Sequence, residues 1–189
     1  MPLTTIDPST ALVVVDLQKG IVSALADDPI TTAAVKQATH LATQFRRHGL
    51  PVVLVNVTGR APGRTDTSRS ANTPSPPAGW ADLIDELDVQ STDHLITKRR
   101  RSAFHDTGLD TLLRDLGVTQ VVLTGIATSS GVESTARSAS DHGYHVVLAT
   151  DAMGDPDPEA HRHSVERVFP KLGETATTAE VVDMAEATR

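Results

Sequence analysis

Short apolar runs recur along the chain, separated by stretches in which hydrophobic residues return every three or four positions. The runs are Ala11–Val15, Val52–Val57, His94–Ile96, Gln120–Leu123 and His145–Ala149. They are rich in Val and Leu and offer apolar side chains in both directions, as strands covered by helices above and below must. Glu174–Thr177 is a sixth, less apolar candidate. In the intervening stretches Ile30, Ala33, Ala34, Ala38, Leu41, Ala42 and Phe45 lie at helical spacing, and Gly49 suits the stop. Leu109, Leu112, Leu113 and Leu116 repeat the pattern before Gly117. Further helices are expected from Val132 to His142, from Pro158 to Val168 and from Thr178 to Ala187, with Pro158 in a first turn that tolerates it.

Strands alternating with helices predict an α/β fold of parallel βαβ units with right-handed crossovers. At 189 residues the chain suits one domain, spanning 1–189, with enough length for a three-layer α/β/α core. Ligands in such sheets sit beyond the carboxyl ends of the strands, so the residues just after each apolar run matter most. The stretch Thr58 to Gly79 breaks the rhythm with several Pro and Gly residues, and reads either as a surface insertion or as a lid or dimer contact.

Composition narrows the function. A formal charge of -7 opposes binding to nucleic acid or to an anionic membrane, since phosphate attracts net positive surface. The one basic run, Lys98-Arg99-Arg100-Arg101, is too short for a nucleic-acid footprint and suits a solvated turn or a small-anion site. The chain has no cysteine, which removes disulfides, thiolate nucleophiles and Cys-bound zinc. That fits a reducing, cytoplasmic setting. Met1 to Thr10 is polar and shows no signal peptide, and no apolar run approaches the roughly 20 residues that span a bilayer.

Polar residues collect at the strand ends: Asp16-Leu17-Gln18 after the first, Lys98 after the third, and Gly125 to Gly131 after the fourth. An acid following a hydrophobic run is costly to bury unless it is paired. Each residue alone has an ordinary structural reading, the aspartate as a turn cap and the lysine as a surface charge. Their gathering on one sheet edge is what points to a site.

Three segments carry a resemblance. Val13-Val14-Val15-Asp16-Leu17-Gln18 is similar to a hydrophobic strand followed by D-x-Q, and Lys98 to Phe104 resembles K-x-x-x-S-A-F. Gly125-Ile126-Ala127-Thr128, with Val132 and Thr135-Ala136-Arg137, resembles G-[IV]-x-T-x-x-C-V-x-x-T-A. Together they resemble the isochorismatase-like superfamily of cysteine hydrolases over nearly the whole chain. The resemblance implies a six-stranded parallel sheet of Rossmann-like topology, and a triad of aspartate, lysine and cysteine. Asp16 and Lys98 match the first two members, whereas Gly131 stands at the nucleophile position. Amide attack through a thioester is therefore not available from residue 131.

Two chemistries remain. Ser129 or Ser130 could replace the thiol in an amidase, although a serine needs a base held against it, and both serines suit the cap of the helix that follows. The resemblance also implies a branch with glycine here that hydrolyses vinyl ethers by acid catalysis, with Asp16 as proton donor. That requires burial to raise the Asp16 pKa against the opposing pull of Lys98, and the balance decides between acid and base. Lys98 would orient a substrate carboxylate or carbonyl, with Arg100 and Arg101 assisting. The resemblance further implies a cis peptide at Ile126-Ala127 and an oxyanion-binding loop through Thr128, Ser129, Ser130 and Gly131, with Gln18 and Asn56 as neighbouring substrate contacts. A pseudoenzyme that keeps the pocket for binding or regulation is the alternative of another class.

Other residues have more modest expectations. Arg60 or Arg64 could meet a carboxylate or simply face solvent, and Asp151 is expected to hold turns at the sheet edge. No metal or cofactor is expected. Asn56-Val57-Thr58-Gly59-Arg60 lacks the D-x-H pair of metal-binding relatives, and His161 and His163, two apart, point to different faces of a helix. The expected partners are a small-molecule substrate and, by analogy, a second copy or more of the chain.

Overall fold

The computed structural model describes residues 3–66 and 76–188. Part of the Thr58–Gly79 stretch thus lies outside the described residues. Six strands form one wholly parallel sheet: β1 (Thr10–Val15), β2 (Val52–Val57), β3 (His94–Lys98), β4 (Gln120–Ile126), β5 (His145–Gly154) and β6 (Glu174–Ala176). Their order is β3-β2-β1-β4-β5-β6, which reverses direction between β1 and β4. Successive βαβ units wind outward from that switch point in both directions, so the crevice beyond β1 and β4 is the place for a ligand.

Helices α1 (Lys19–Val22), α2 (Pro29–Arg47), α3 (Leu109–Asp115), α4 (Glu133–Asp141), α5 (Pro158–His163) and α6 (Thr178–Ala187) complete the layers. Alternation along β1 shows how the layers are sealed. Leu12 and Val14 join the core under α2 and α6, while Ala11, Val13 and Val15 join the core with α3 and α4. Of the periodic set seen in the sequence, Ala34, Ala38, Leu41, Ala42 and Phe45 form the buried stripe of α2, joined by Thr31, whereas Ile30 and Ala33 are exposed. Its start is fixed by Asp28, whose carboxylate accepts from the amides of Ile30 and Thr31, and by Pro29 in the first turn.

The structure departs from the pattern in several places. β3 is not buried on both faces: as an edge strand it leaves Leu95 62% exposed. β5 runs five residues past the expected end, to Gly154, because its register with β4 shifts between Leu123 and Gly125 and lets pairing resume at Met153 and Gly154. The short helix α1, which carries too few turns to show a period, was not legible. The helix expected from Val132 begins earlier, with a π-helical turn over Thr128–Val132 leading into α4.

Gly125 explains how β1 and β4 approach at the switch point. It has φ +125°, and a Cβ there would lie 2.0 Å from the Val15 carbonyl oxygen. Only glycine allows this contact, one residue before Asp16. Gly125→Ala is therefore expected to destabilise the fold by more than about 2 kcal/mol, read from urea unfolding. A midpoint equal to that of the natural chain would show that the two strands can part without cost.

Candidate functional site

The carboxyl end of β1 places Asp16 at the switch point, in the left-handed backbone region at φ +57°. The turn is secured by the Asp16 amide donating to Val55 O and the Gln18 amide donating to Asp16 O, both 2.9 Å. Lys98 ends β3, two strands away, and its side chain crosses the end of β2. Its Nζ lies 2.7 Å from Asp16 Oδ2, and also donates to the Arg101 carbonyl at 2.7 Å. Both residues are buried, Asp16 at 4% and Lys98 at 1% exposure. The lysine is thus no surface charge.

The second carboxylate oxygen, Asp16 Oδ1, is buried with no hydrogen-bond partner among the described residues. Loss of solvent disfavours the charged form, and only partly do the Lys98 charge and hydrogen bond offset it. The carboxyl is pushed up to about 6. Burial outweighs the cation, which leaves the carboxyl above the usual carboxylate range.

Gly131 lies against this pair. A Cβ at that position would stand 2.9 Å from Asp16 Oδ2 and 3.3 Å from Lys98 Nζ. The carboxylate and ammonium therefore occupy the ground beside the position where a larger side chain would point. The peptide bond Ile126-Ala127 is cis, as the resemblance implied. A cavity of about 820 Å³ opens here, bordered by Asp16, Lys98, Ile126, Ala127, Ser130 and Gly131. Arg60, Arg100 and Arg101 also border it, as do Gly20 and Ile21 of α1 together with Trp80.

The remaining expected contacts sit elsewhere. Gln18 spends its side chain on backbone: Nε2 donates to Val57 O and Trp80 O at 3.2 Å each, and Oε1 accepts from Val57 N at 2.7 Å. Asn56 faces the other side of β2, bonding Ala81 O and Thr97 Oγ1. Thr128 donates to Gly154 O and meets His161 Nδ1 at 2.9 Å. Ser129 gives both its amide and its hydroxyl to Asp155 Oδ2, at 2.7 Å each. None of these four residues borders the cavity. Nor do the serines cap the helix, because the Asp155 carboxylate claims Ser129 and the π-helical turn already begins at Thr128. Arg64 is exposed and off the cavity wall. Asp151 caps α6, accepting from the Thr178 amide at 2.7 Å and hydroxyl at 2.9 Å. Among the described residues no group of acidic or imidazole side chains could hold a metal ion, and no helix is long and apolar enough to cross a membrane.

Three participants escaped sequence reasoning. Asp155 is buried and ties down the 127–131 turn through Ser129. Its signal, an acid just beyond a strand end, was hidden by the unexpected length of β5. Trp80 and Gly20 form one cavity wall. The single tryptophan of the chain, following Pro76-Pro77-Ala78-Gly79, was the cue available for it.

Comparison with known proteins agrees with the fold. A family model described as the isochorismatase domain matches residues 10–180. An isochorismatase family protein of Bacillus subtilis is 39% identical, covering 92% of this chain and 93% of its own. The ureidoacrylate amidohydrolase RutB of Stutzerimonas stutzeri is 32% identical over 84% of this chain and 75% of its own. Among solved structures, an isochorismatase family protein from Burkholderia thailandensis superposes with a TM-score of 0.85 at 38% identity, covering 96% of this chain and 98% of that one. N-carbamoylsarcosine amidase from Thermoplasma acidophilum gives 0.75 at 28% identity, covering 90% and 96%.

Removing the cation should expose the cost of burying the acid. In Lys98→Met, Asp16 keeps its desolvation but loses its partner, so its pKa rises further. A folded-state pKa above the unfolded value favours the fold at low pH and is lost as pH rises through it. The variant is expected to lose about 3–5 kcal/mol at about pH 8 and clearly less at about pH 5, measured by urea unfolding. Equal losses at both would show that the lysine acts through packing alone.

Proposed function

Because the chain belongs to the isochorismatase family, we propose that it is a hydrolase that opens an activated bond, a vinyl ether foremost, in a small carboxylated molecule by proton transfer from Asp16, without a covalent intermediate. The observation that carries this reading is the buried Asp16, with Oδ2 on Lys98, Oδ1 unpartnered, and its carboxyl pushed up to about 6 over a floor of Gly131. A general acid works best with a pKa near the operating pH.

The steps balance as follows. Protonated Asp16 gives its proton to the terminal carbon of the vinyl ether, and the double bond becomes a C–H bond and an oxocarbenium ion. Water adds to the oxygen-bearing carbon of that ion, forming a hemiketal, while the Asp16 carboxylate, stabilised by Lys98, takes a proton from the water. The hemiketal then breaks its C–O bond, releasing an alcohol and a ketone, and Asp16 ends protonated. Four cations, Arg60, Lys98, Arg100 and Arg101, border the cavity against one carboxylate, in a chain of net charge -7. They favour a substrate that brings negative charge.

The amide chemistry in the names of two relatives needs a nucleophile, and residue 131 has none. Ser129 is off the cavity with its hydroxyl on Asp155. Ser130 borders the cavity, but among the described residues no basic side chain hydrogen-bonds its hydroxyl. A serine without a base is a poor nucleophile.

On a panel of carboxylated enol ethers and small amides, kcat/KM for the enol ethers is expected to be level at low pH and to fall above about 6 as Asp16 ionises. Asp16→Asn should cost roughly 10²- to 10⁴-fold in kcat while the fold is kept. Near-normal rates in that variant, or turnover of amides alone, would refute the reading. Gly131→Cys tests the floor. Its Cβ would force Asp16 Oδ2 back from 2.9 Å and set the thiol near Lys98 Nζ. A neighbouring ammonium lowers a thiol pKa, so alkylation about tenfold faster than free cysteine is expected.

A further inference from the structure

Trp80 lies just after the polar, proline-rich stretch, yet it is held as firmly as a core residue. Its carbonyl accepts from the Gly20 amide at 2.9 Å and from Gln18 Nε2 at 3.2 Å, and its amide donates to Pro77 O at 3.1 Å. The ring is placed with equal care. A Cβ on Gly20 would lie 1.9 Å from Trp80 Cδ1, 2.1 Å from Nε1 and 2.3 Å from Cγ. Near-equal approach to three adjacent atoms puts Gly20 over the face of the five-membered ring, not at its edge. Any side chain at residue 20 would lift the indole away.

The half-buried indole borders the cavity together with Ile21 and Leu25, forming an apolar wall. The cavity is also bordered by cations. Arg100 is steadied by its own guanidinium donating to Arg99 O at 2.9 Å and Arg60 O at 3.3 Å. Arg101 has no acidic partner among the described residues. An aromatic wall lining the same cavity as Arg100 and Arg101, which have no acidic partner among the described residues, makes a two-part recognition surface. One part reads shape and the other reads charge.

From this geometry we infer that Trp80, seated on Gly20, is a specificity-determining residue that selects ligands with a flat, unsaturated body, whose carboxylate is turned toward Arg100 and Arg101. Gln18 is a positioning residue for it, acting through the Trp80 carbonyl. The inference rests on the reading of this cavity as the substrate site, but not on proton transfer by Asp16. A flat body exposes a polarisable face to the indole, whereas a puckered ring of the same size meets it with hydrogens at uneven depth.

The test is binding of three non-hydrolysable probes of similar size: benzoate, cyclohexanecarboxylate and benzamide. Trp80 is the only tryptophan, so intrinsic fluorescence reports the wall directly. Benzoate is expected to quench the emission and to bind roughly two- to tenfold more tightly than cyclohexanecarboxylate. Benzamide, lacking the charge, should bind more weakly than benzoate. By calorimetry, Trp80→Leu should erase the preference for the flat acid, Trp80→Phe should keep most of it, and Gly20→Val should lose it with the indole still present. Equal binding of the two acids, binding of neither at millimolar concentration, or an unchanged preference in Trp80→Leu would overturn the inference. The comparison on the unmodified chain is decisive even where a variant fails to fold. Because no bond is broken, these measurements can fail while the Asp16 chemistry stands, and the reverse.

Discussion

A carboxylate and an ammonium brought together in the absence of water are the constraint around which the rest of this molecule is arranged. Asp16 and Lys98 come from strands that are not neighbours, and the lysine reaches over the end of β2 to close a 2.7 Å contact. Burying such a pair gains little stability by itself, because desolvation cancels most of the attraction. What the fold obtains instead is a proton of intermediate affinity at a fixed point. The glycine contact at 125, the left-handed turn at Asp16 and the carbonyl of Arg101 on Lys98 all hold that point in place.

The pair also shows what the absence of a side chain at residue 131 leaves room for. With a larger residue there, the side-chain ends of Asp16 and Lys98 would have to retreat by a few tenths of an ångström. With glycine, both settle close to the backbone of the turn that follows β4. Asp155 contributes from behind by accepting from both donors of Ser129, so the turn is held without drawing on groups that border the cavity.

Much of this was legible in the sequence, for identifiable reasons. Strand runs such as Ala11–Val15 and the stripe of α2 are periodic and long enough for burial to show through, and the positions of Asp16 and Lys98 follow from where those runs end. The losses have equally plain causes. β3 looked like a buried strand because Leu95 is apolar, whereas an edge position leaves it uncovered. Gln18 and Asn56 sit at the right height on the sheet but point into backbone contacts, and residue type alone does not reveal which neighbour a side-chain amide will choose. Trp80 comes to the cavity from far along the chain. No local pattern announces such a contact.

The anchoring of the chain on both sides of residues 67–75 has a further implication. The Thr58 amide is fastened to Lys98 O on one side, and Trp80 to Gly20 and Gln18 on the other. Each anchor runs through backbone atoms of Thr58 and Trp80, so a change of side chain at Trp80 alters what borders the cavity while the path of the chain around it is kept.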